Sequence, residues 1–70
     1  MKELIFVVEE DPEGGYTAKA LGENIFTQGE TVDELKQMIR DAIDCHFDDA
    51  SQWPQIVRLH FVKDEVFALQ

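Results

Sequence analysis

The sequence predicts one α+β domain across residues 1–70, with the element order βββαβ. A three-stranded antiparallel meander plus a fourth strand should form one sheet, and one helix should pack on one sheet face. Three observations predict this fold. Short apolar runs separated by turn formers fill the first 28 positions, an apolar stripe with a helical period follows, and an alternating segment comes after a proline-containing loop.

Three strands are predicted before the helix. Residues 4–8 are all apolar and are followed by a run dense in turn formers, at 9–15, which indicates a strand and a hairpin loop. Residues 16–21 alternate between two faces, as a half-buried strand does. After a turn at 22–24, residues 25–28 form a third short strand. Connections this short favour antiparallel neighbours.

The predicted helix begins at Thr31, because Thr31 and Glu34 have the capping-box spacing, in which each side chain can satisfy an unpaired backbone N–H. Apolar residues then recur at steps of three and four, so one face of a helix of about 18 residues should pack on the sheet. The stripe consists of Val32, Leu35, Ile39, Ala42, Ile43 and Phe47, flanked by Met38 and His46.

A loop and a fourth strand follow the predicted helix. Pro54 cannot continue a helix, so residues 48–55 should form the return loop. Residues 56–62 alternate again, with Val57, Leu59 and Phe61 on one side. Residues 66–69 form a short apolar segment, and the sequence leaves its place open.

Strand one is apolar on both faces, whereas a single helix covers only one. Ile5 and Val7 on the second face are therefore the candidate oligomer face, and residues 66–69 covering that face within one chain is the alternative. A 70-residue chain buries only about 60% of the surface that its unfolded form exposes, so its stability is marginal. We expect a homo-oligomer, a dimer or tetramer, or a protein partner.

Composition and charge limit the classes of partner. Fifteen acidic and six basic residues give a net charge of −9, which repels phosphates and favours basic partners, so no direct binding of nucleic acid is expected. The first apolar run is too short for a signal peptide or a membrane span. We therefore expect a cytoplasmic protein with no membrane partner. Cys45 is the only cysteine, which suits a reducing compartment.

The residues predict no catalytic group, no metal and no cofactor. Asp41, Asp44 and Asp48 share one side of the predicted helix, but a catalytic divalent ion needs carboxylates from separate elements, which favours a solvated face. Cys45 and His46 point about 100° apart on a helix, so they cannot form a nucleophile–base pair, and Cys45 is expected in the core. The protein is thus predicted not to be an enzyme, and a residual nuclease with Asp41 or Asp44 at a metal is the enzymatic alternative.

The order and spacing of several short motifs resemble the HicB antitoxin family. The motifs are Gly-Gly-Tyr16-Thr-Ala18, then Gly29-Glu30-Thr31-x-x-Glu34-Leu35, then Arg40-Asp41-Ala42-Ile43. The resemblance covers about residues 3–47, and the closing strand fits it too. It implies a small domain similar to a reduced RNase H fold without the catalytic carboxylates. It also implies a partner, a HicA-like toxin, which is a small basic mRNA-cleaving ribonuclease.

Two departures from the family pattern stand out. Many members carry a Pro-Glu-Leu-Pro-Gly-like segment where this chain has Leu21-Gly22-Glu23-Asn24. Longer members append a DNA-binding module, so binding of an operator is not expected of this chain.

The resemblance and the acidic charge together predict an antitoxin-like binding module. Its candidate partner interface has two parts. The first is the acidic hairpin with Glu9, Glu10, Asp11, Glu13 and the adjacent Tyr16, and the second is the end of the helix with Asp44, Asp48 and Asp49. The alternative function is a stand-alone oligomeric scaffold or small-ligand-binding domain.

Overall fold

A computed structural model describes residues 2–63 and 65–69, and its elements follow the predicted order. The strands are β1 (Glu3–Glu10), β2 (Tyr16–Ala20), β3 (Phe26–Gly29) and β4 (Ile56–Val62). The helix α1 spans Val32–His46, and a short 3₁₀ helix spans Ala50–Gln52. The strands form one sheet with the order β3-β2-β1-β4, which confirms the predicted α+β fold.

β1 is a central strand with a different kind of neighbour on each side. It pairs antiparallel with β2 and parallel with β4, so that Phe6 lies opposite both Ala20 and Leu59. The crossover through α1 allows the parallel pairing, because parallel strands need a long connection. Leu4, Phe6 and Val8 of β1 are buried on the face that α1 covers, whereas Ile5 and Val7 on the other face are half-buried.

The core lies between one sheet face and α1. Phe6 and Leu35 are both fully buried and lie at its centre. The predicted helix stripe is confirmed for five of its six members, since Leu35, Ile39 and Ile43 are buried and Ala42 and Phe47 pack against the core. The sixth, Val32, is half-buried in the first turn. The full core is Leu4, Phe6, Val8, Ala18, Ala20, Ile25, Leu35, Ile39 and Ile43.

Side-chain caps mark the start of α1 and the start of the 3₁₀ helix that follows it. The Thr31 hydroxyl accepts a hydrogen bond from the Glu34 backbone N–H at 3.1 Å, which confirms the predicted start. The predicted length is wrong, because α1 has 15 residues and Phe47 is its extended C-cap. Asp48 therefore lies beyond the helix and does not continue a row with Asp41 and Asp44. The Asp49 carboxylate instead caps the 3₁₀ helix through the Ser51 N–H, which favours the break.

The start of α1 packs directly on β3 at Gly29. A β-carbon at this position would lie 2.7 Å from the Leu35 backbone nitrogen and 2.9 Å from its Cα. Only glycine permits this approach without a shift of the backbone. The contact fixes the first turn of α1 above the end of β3 that pairs with Tyr16.

α1 lies mainly over β3 and β2 and leaves the helix-side face of β4 partly uncovered. Val57 is 39% exposed and Phe61 is 50% exposed, although both lie on the helix side of β4. They share one side of the strand, as the alternation predicted. This offset occurs because the contact at Gly29 ties the helix to the far side of the sheet.

The apolar segment 66–69 lies outside the helices and strands and is exposed. Phe67 is 76% exposed, so the alternative that this segment covers a sheet face within one chain is wrong. The radius of gyration is 14.0 Å, whereas a compact chain of this length is expected to have about 11 Å. A segment that projects from the domain raises the radius in this way.

Cys45 is exposed, so its predicted place in the core is wrong. Cys45 is two residues beyond the buried Ile43, which turns it about 200° away from the core face.

Within residues 2–63 and 65–69, no helix is both long and apolar enough to cross a membrane.

Candidate partner interface

The loop between β1 and β2 holds its acidic side chains in an ordered turn. The Asp11 N–H donates to the Gly15 carbonyl and the Gly14 N–H donates to the Asp11 carbonyl, both at 2.9 Å. The Asp11 carboxylate also accepts from the Glu13 N–H at 2.8 Å. Gly14 and Gly15 take the positive φ angles that this turn needs. These hydrogen bonds therefore hold the loop of the predicted acidic hairpin in one defined conformation.

Glu30, which lies between β3 and α1, and Glu34, in the first turn of α1, lie beside this hairpin. Pairing of Tyr16 with Gly29 brings the residues after β3 beside the loop, and a β-carbon at Gly15 would lie 3.7 Å from the Glu30 carboxylate. Glu34 follows one turn later. A notch of about 280 Å³ results. We call it the acidic notch, and the side chains that define it are Asp11, Tyr16, Glu30, Glu34 and Met38.

Tyr16 links the acidic notch to β4. It is half-buried and packs edge to face on Phe61, with the ring centroids 6.4 Å apart and the rings 88° to each other. Such a pair contributes about 0.5–1.5 kcal/mol beyond simple burial. The Tyr16 ring is therefore held in place beside the carboxylates.

The other predicted hairpin residues lie around the same loop. Glu9 and Glu10 line a shallow depression on its other side together with Asp11, Thr17 and Lys63. Glu13 is exposed on the loop. The structure thus brings together the whole predicted hairpin and adds Glu30 and Glu34.

The second part of the predicted interface lies at the opposite end of the sheet. Asp44 is in the last turn of α1, and the neighbouring His46 contacts Glu23 in the β2–β3 turn at 3.1 Å. That turn is at the end of β2 away from Tyr16. Asp44, Asp48 and Asp49 therefore cannot join the hairpin in one compact contact. Asp49 is also engaged in capping the 3₁₀ helix.

Ile5 and Val7, the candidate oligomer face, lie on the sheet face away from α1 and are half-buried. Val7 pairs with Lys19, and Ile5 pairs with Arg58. Arg58 also forms an ion pair with Glu3, and this hydrogen bond and charge raise the pKa of Arg58 above its ordinary value. Charged side chains therefore flank the two apolar ones.

The acidic notch has the groups that bind a cationic side chain. Its carboxylates can accept charge-assisted hydrogen bonds from an Arg or Lys. The Tyr16 ring and the Met38 side chain offer polarisable surface to the aliphatic stem and to the cation. Among the residues that the structure describes, no three His, Cys, Asp or Glu side chains are placed to hold a metal ion.

Sequence reasoning missed Glu30 and Glu34 as interface residues, because they are 15 or more positions away from the hairpin. The strand register was the signal that could have found them. Tyr16 opposite Gly29 places the next residue, Glu30, at the hairpin end of the sheet.

The chain was also compared with known proteins. No family model matches it and no solved structure matches it. It is similar to a UPF0150 protein of Thermotoga maritima, 46% identical over 68 residues that cover 97% of this chain and 94% of that relative. It is likewise similar to a UPF0150 protein of Archaeoglobus fulgidus, 51% identical over 49 residues that cover 70% of this chain and 73% of the relative. The chain belongs to the UPF0150 family.

Proposed function

We propose that this protein is an antitoxin-like binding module of the cytoplasm that neutralises a HicA-like toxin, a small basic mRNA-cleaving ribonuclease. The observation that carries the proposal is the acidic notch, which is lined by Asp11 of the hairpin loop and by Glu30 and Glu34, beside the Tyr16 ring that packs on Phe61. The resemblance of the sequence motifs to HicB antitoxins supports the same function. In this proposal the chain acts by contact and performs no reaction of its own.

Neutralisation follows from competition between charges. A ribonuclease holds RNA phosphates with cationic groups. Carboxylates on Asp11, Glu30 and Glu34 offer those cations a substitute, because charge-assisted hydrogen bonds to carboxylate and to phosphate use the same donors. The net charge of −9 also attracts a basic partner over a distance and speeds the encounter.

The shape of the acidic notch suits a protruding side chain better than a flat surface. Tyr16 and Met38 form apolar parts of its lining, and the Asp11 turn closes one side. A basic side chain that enters loses water on its stem while its head group meets carboxylates. Such a combination is typical of the few residues that dominate the affinity of an interface.

The second candidate function is the stand-alone oligomeric scaffold or small-ligand-binding domain. Exposed apolar side chains on β4 and in segment 66–69 favour it, because large apolar patches mark association surfaces. It differs from the antitoxin function in requiring no basic protein partner.

Co-expression tests the proposal. The partner tested is a small basic protein from a reading frame adjacent to the gene for this chain, expressed from an inducible promoter, and a native genome without such a frame counts against the proposal. We expect that protein to arrest growth alone, and we expect growth to recover and both chains to co-purify when this chain is present. If the basic protein is equally toxic with this chain, or does not co-purify with it, the proposal is overturned.

A further inference from the structure

Two uncovered apolar surfaces belong to the same chain. The first, which we call the groove, lies between α1 and β4 and is lined by Lys36, Ile39, Arg40, Ile43, Val57 and Leu59. The second, which we call the arm, is residues 65–69. In the arm, Val66 is 93% exposed, Phe67 is 76% exposed and Leu69 is 89% exposed. Both surfaces would lose unfavourable contact with water if they were covered.

The groove is a direct result of the offset helix. Ile39 and Ile43 are buried at its floor, and Val57 is 39% exposed on its β4 side. α1 packs mainly on β3 and β2, so the helix covers this part of β4 only incompletely. The groove is therefore an unfilled part of the helix–sheet interface, with an apolar floor and the cationic Lys36 and Arg40 at its rim.

We propose that the arm of one chain docks in the groove of a second copy, and that reciprocal exchange of the two arms forms a two-fold dimer. In the docked state the arm would be extended, and Phe67 and Leu69 would then share a side, because side chains two positions apart do so in an extended segment. These two side chains enter the groove and pack on Ile39, Ile43 and Val57.

Charge favours a second copy over a basic partner as the occupant. Lys36 and Arg40 at the groove are two of the chain's six basic residues, and the arm begins with Glu65. An apolar segment with an acidic start matches an apolar groove with a cationic rim. A basic protein would meet like charges there.

Symmetry favours exchange over docking within one chain. In the single chain the groove and the arm are uncovered at the same time. A stable interface buries about 1,200–2,000 Å² in total, whereas one aromatic side chain contributes only about 150–250 Å². A single docked arm therefore supplies only part of the area that a stable interface needs. A two-fold exchange buries two arms in two grooves, so each apolar contact occurs twice.

The exchange does not depend on the toxin-binding proposal. Neither the arm nor the groove includes a side chain of the acidic notch. It also differs from an oligomer built on Ile5 and Val7, which lie on the other face of the sheet. Each of these three surfaces can therefore be altered separately.

Light scattering during size exclusion tests the exchange. We expect the unaltered protein to have twice the chain mass and the double variant Phe67→Ser/Leu69→Ser to have the single-chain mass with an unchanged circular dichroism spectrum. The matched control is Leu21→Ser/Phe26→Ser, whose side chains are of the same two types and are 54% and 66% exposed. This control should keep the dimer mass. A single-chain mass for the unaltered protein, or a dimer mass for the arm variant, overturns the proposal.

Crosslinking identifies which groove the arm occupies. In a Cys45→Ser background, Val57→Cys is placed in one tagged chain and Leu69→Cys in a differently tagged chain. We expect a disulfide between the two tags after mixing and addition of oxidised glutathione, which accepts the two electrons, because docking brings the two β-carbons close enough for a bond. A chain carrying both cysteines that closes the disulfide internally, at single-chain mass, shows docking within one chain and overturns the exchange.

Discussion

Tyr16 on β2 and Phe61 on β4 meet edge to face across the central strand β1, with their ring centroids 6.4 Å apart. The contact joins the first hairpin to the last strand, which are far apart in the sequence. It also holds one wall of the acidic notch. The edge strand β4 therefore helps to position the proposed binding surface, although it supplies no residue of the notch itself.

Phe61→Ala should lower the free energy of unfolding by about 1–2 kcal/mol, from the lost aromatic pair and the lost burial of a half-exposed ring. Urea unfolding followed by circular dichroism measures the change. The matched control is Phe26→Ala on the edge strand β3, where the ring is 66% exposed, and it should cost clearly less. Equal losses for the two variants would show that the Tyr16–Phe61 contact adds no stability.

Gly29→Ala should cost about 2–3 kcal/mol of stability, because the new β-carbon would overlap backbone atoms of Leu35 that cannot rotate away. Gly22→Ala is the comparison. Gly22 has φ +86° with nothing within 4 Å of a β-carbon, so only backbone strain of about 1 kcal/mol is expected. Thermal and urea unfolding of both variants give the ranking. A larger loss for the Gly22 variant would contradict the close packing of α1 on β3.

Thr31→Ala should cost about 1 kcal/mol, because the Glu34 backbone N–H loses its 3.1 Å side-chain acceptor at the start of α1. Thr31→Ser keeps the hydroxyl and should retain most of that stability. Chemical unfolding of the two variants measures the difference. If serine and alanine are equally destabilising, the hydroxyl is not what stabilises the helix start.

The element order could be predicted from the sequence because it depends on local patterns. The apolar run at 4–8, the capping pair Thr31 and Glu34, and the stripe through Leu35, Ile39 and Ile43 each involve neighbours within a few residues. The start of α1 and its buried face were accordingly right. The end of α1 was wrong, since Phe47 continues the apolar period while the Asp49 carboxylate favours a new turn.

The composition of the candidate site could be predicted only in part. The acidic hairpin is continuous in the sequence, whereas Glu30 and Glu34 reach it through strand pairing between Tyr16 and Gly29. The offset of α1 from β4 depends on the Gly29 contact, which no periodicity reports. Tertiary packing therefore decided both the notch and the groove.

The proposed function depends most directly on the acidic notch as the contact for the basic partner. The notch variant is Asp11→Asn/Glu30→Gln/Glu34→Gln, and the control is Asp44→Asn/Asp48→Asn/Asp49→Asn at the other end of the sheet. Each variant removes three negative charges from the same chain, so long-range attraction falls equally. The amide at position 11 or 49 keeps the oxygen acceptor that its turn uses.

The decisive measurement is the Kd between this chain and the adjacent-gene basic protein, by titration calorimetry. We predict that the notch variant binds at least about tenfold more weakly than the unaltered chain, a loss of about 1.4 kcal/mol. We predict that the helix-end control changes the Kd less than about twofold, because exposed charges away from the contact contribute little. Equal weakening by both variants, or a notch variant that binds as tightly as the unaltered chain, would contradict the account.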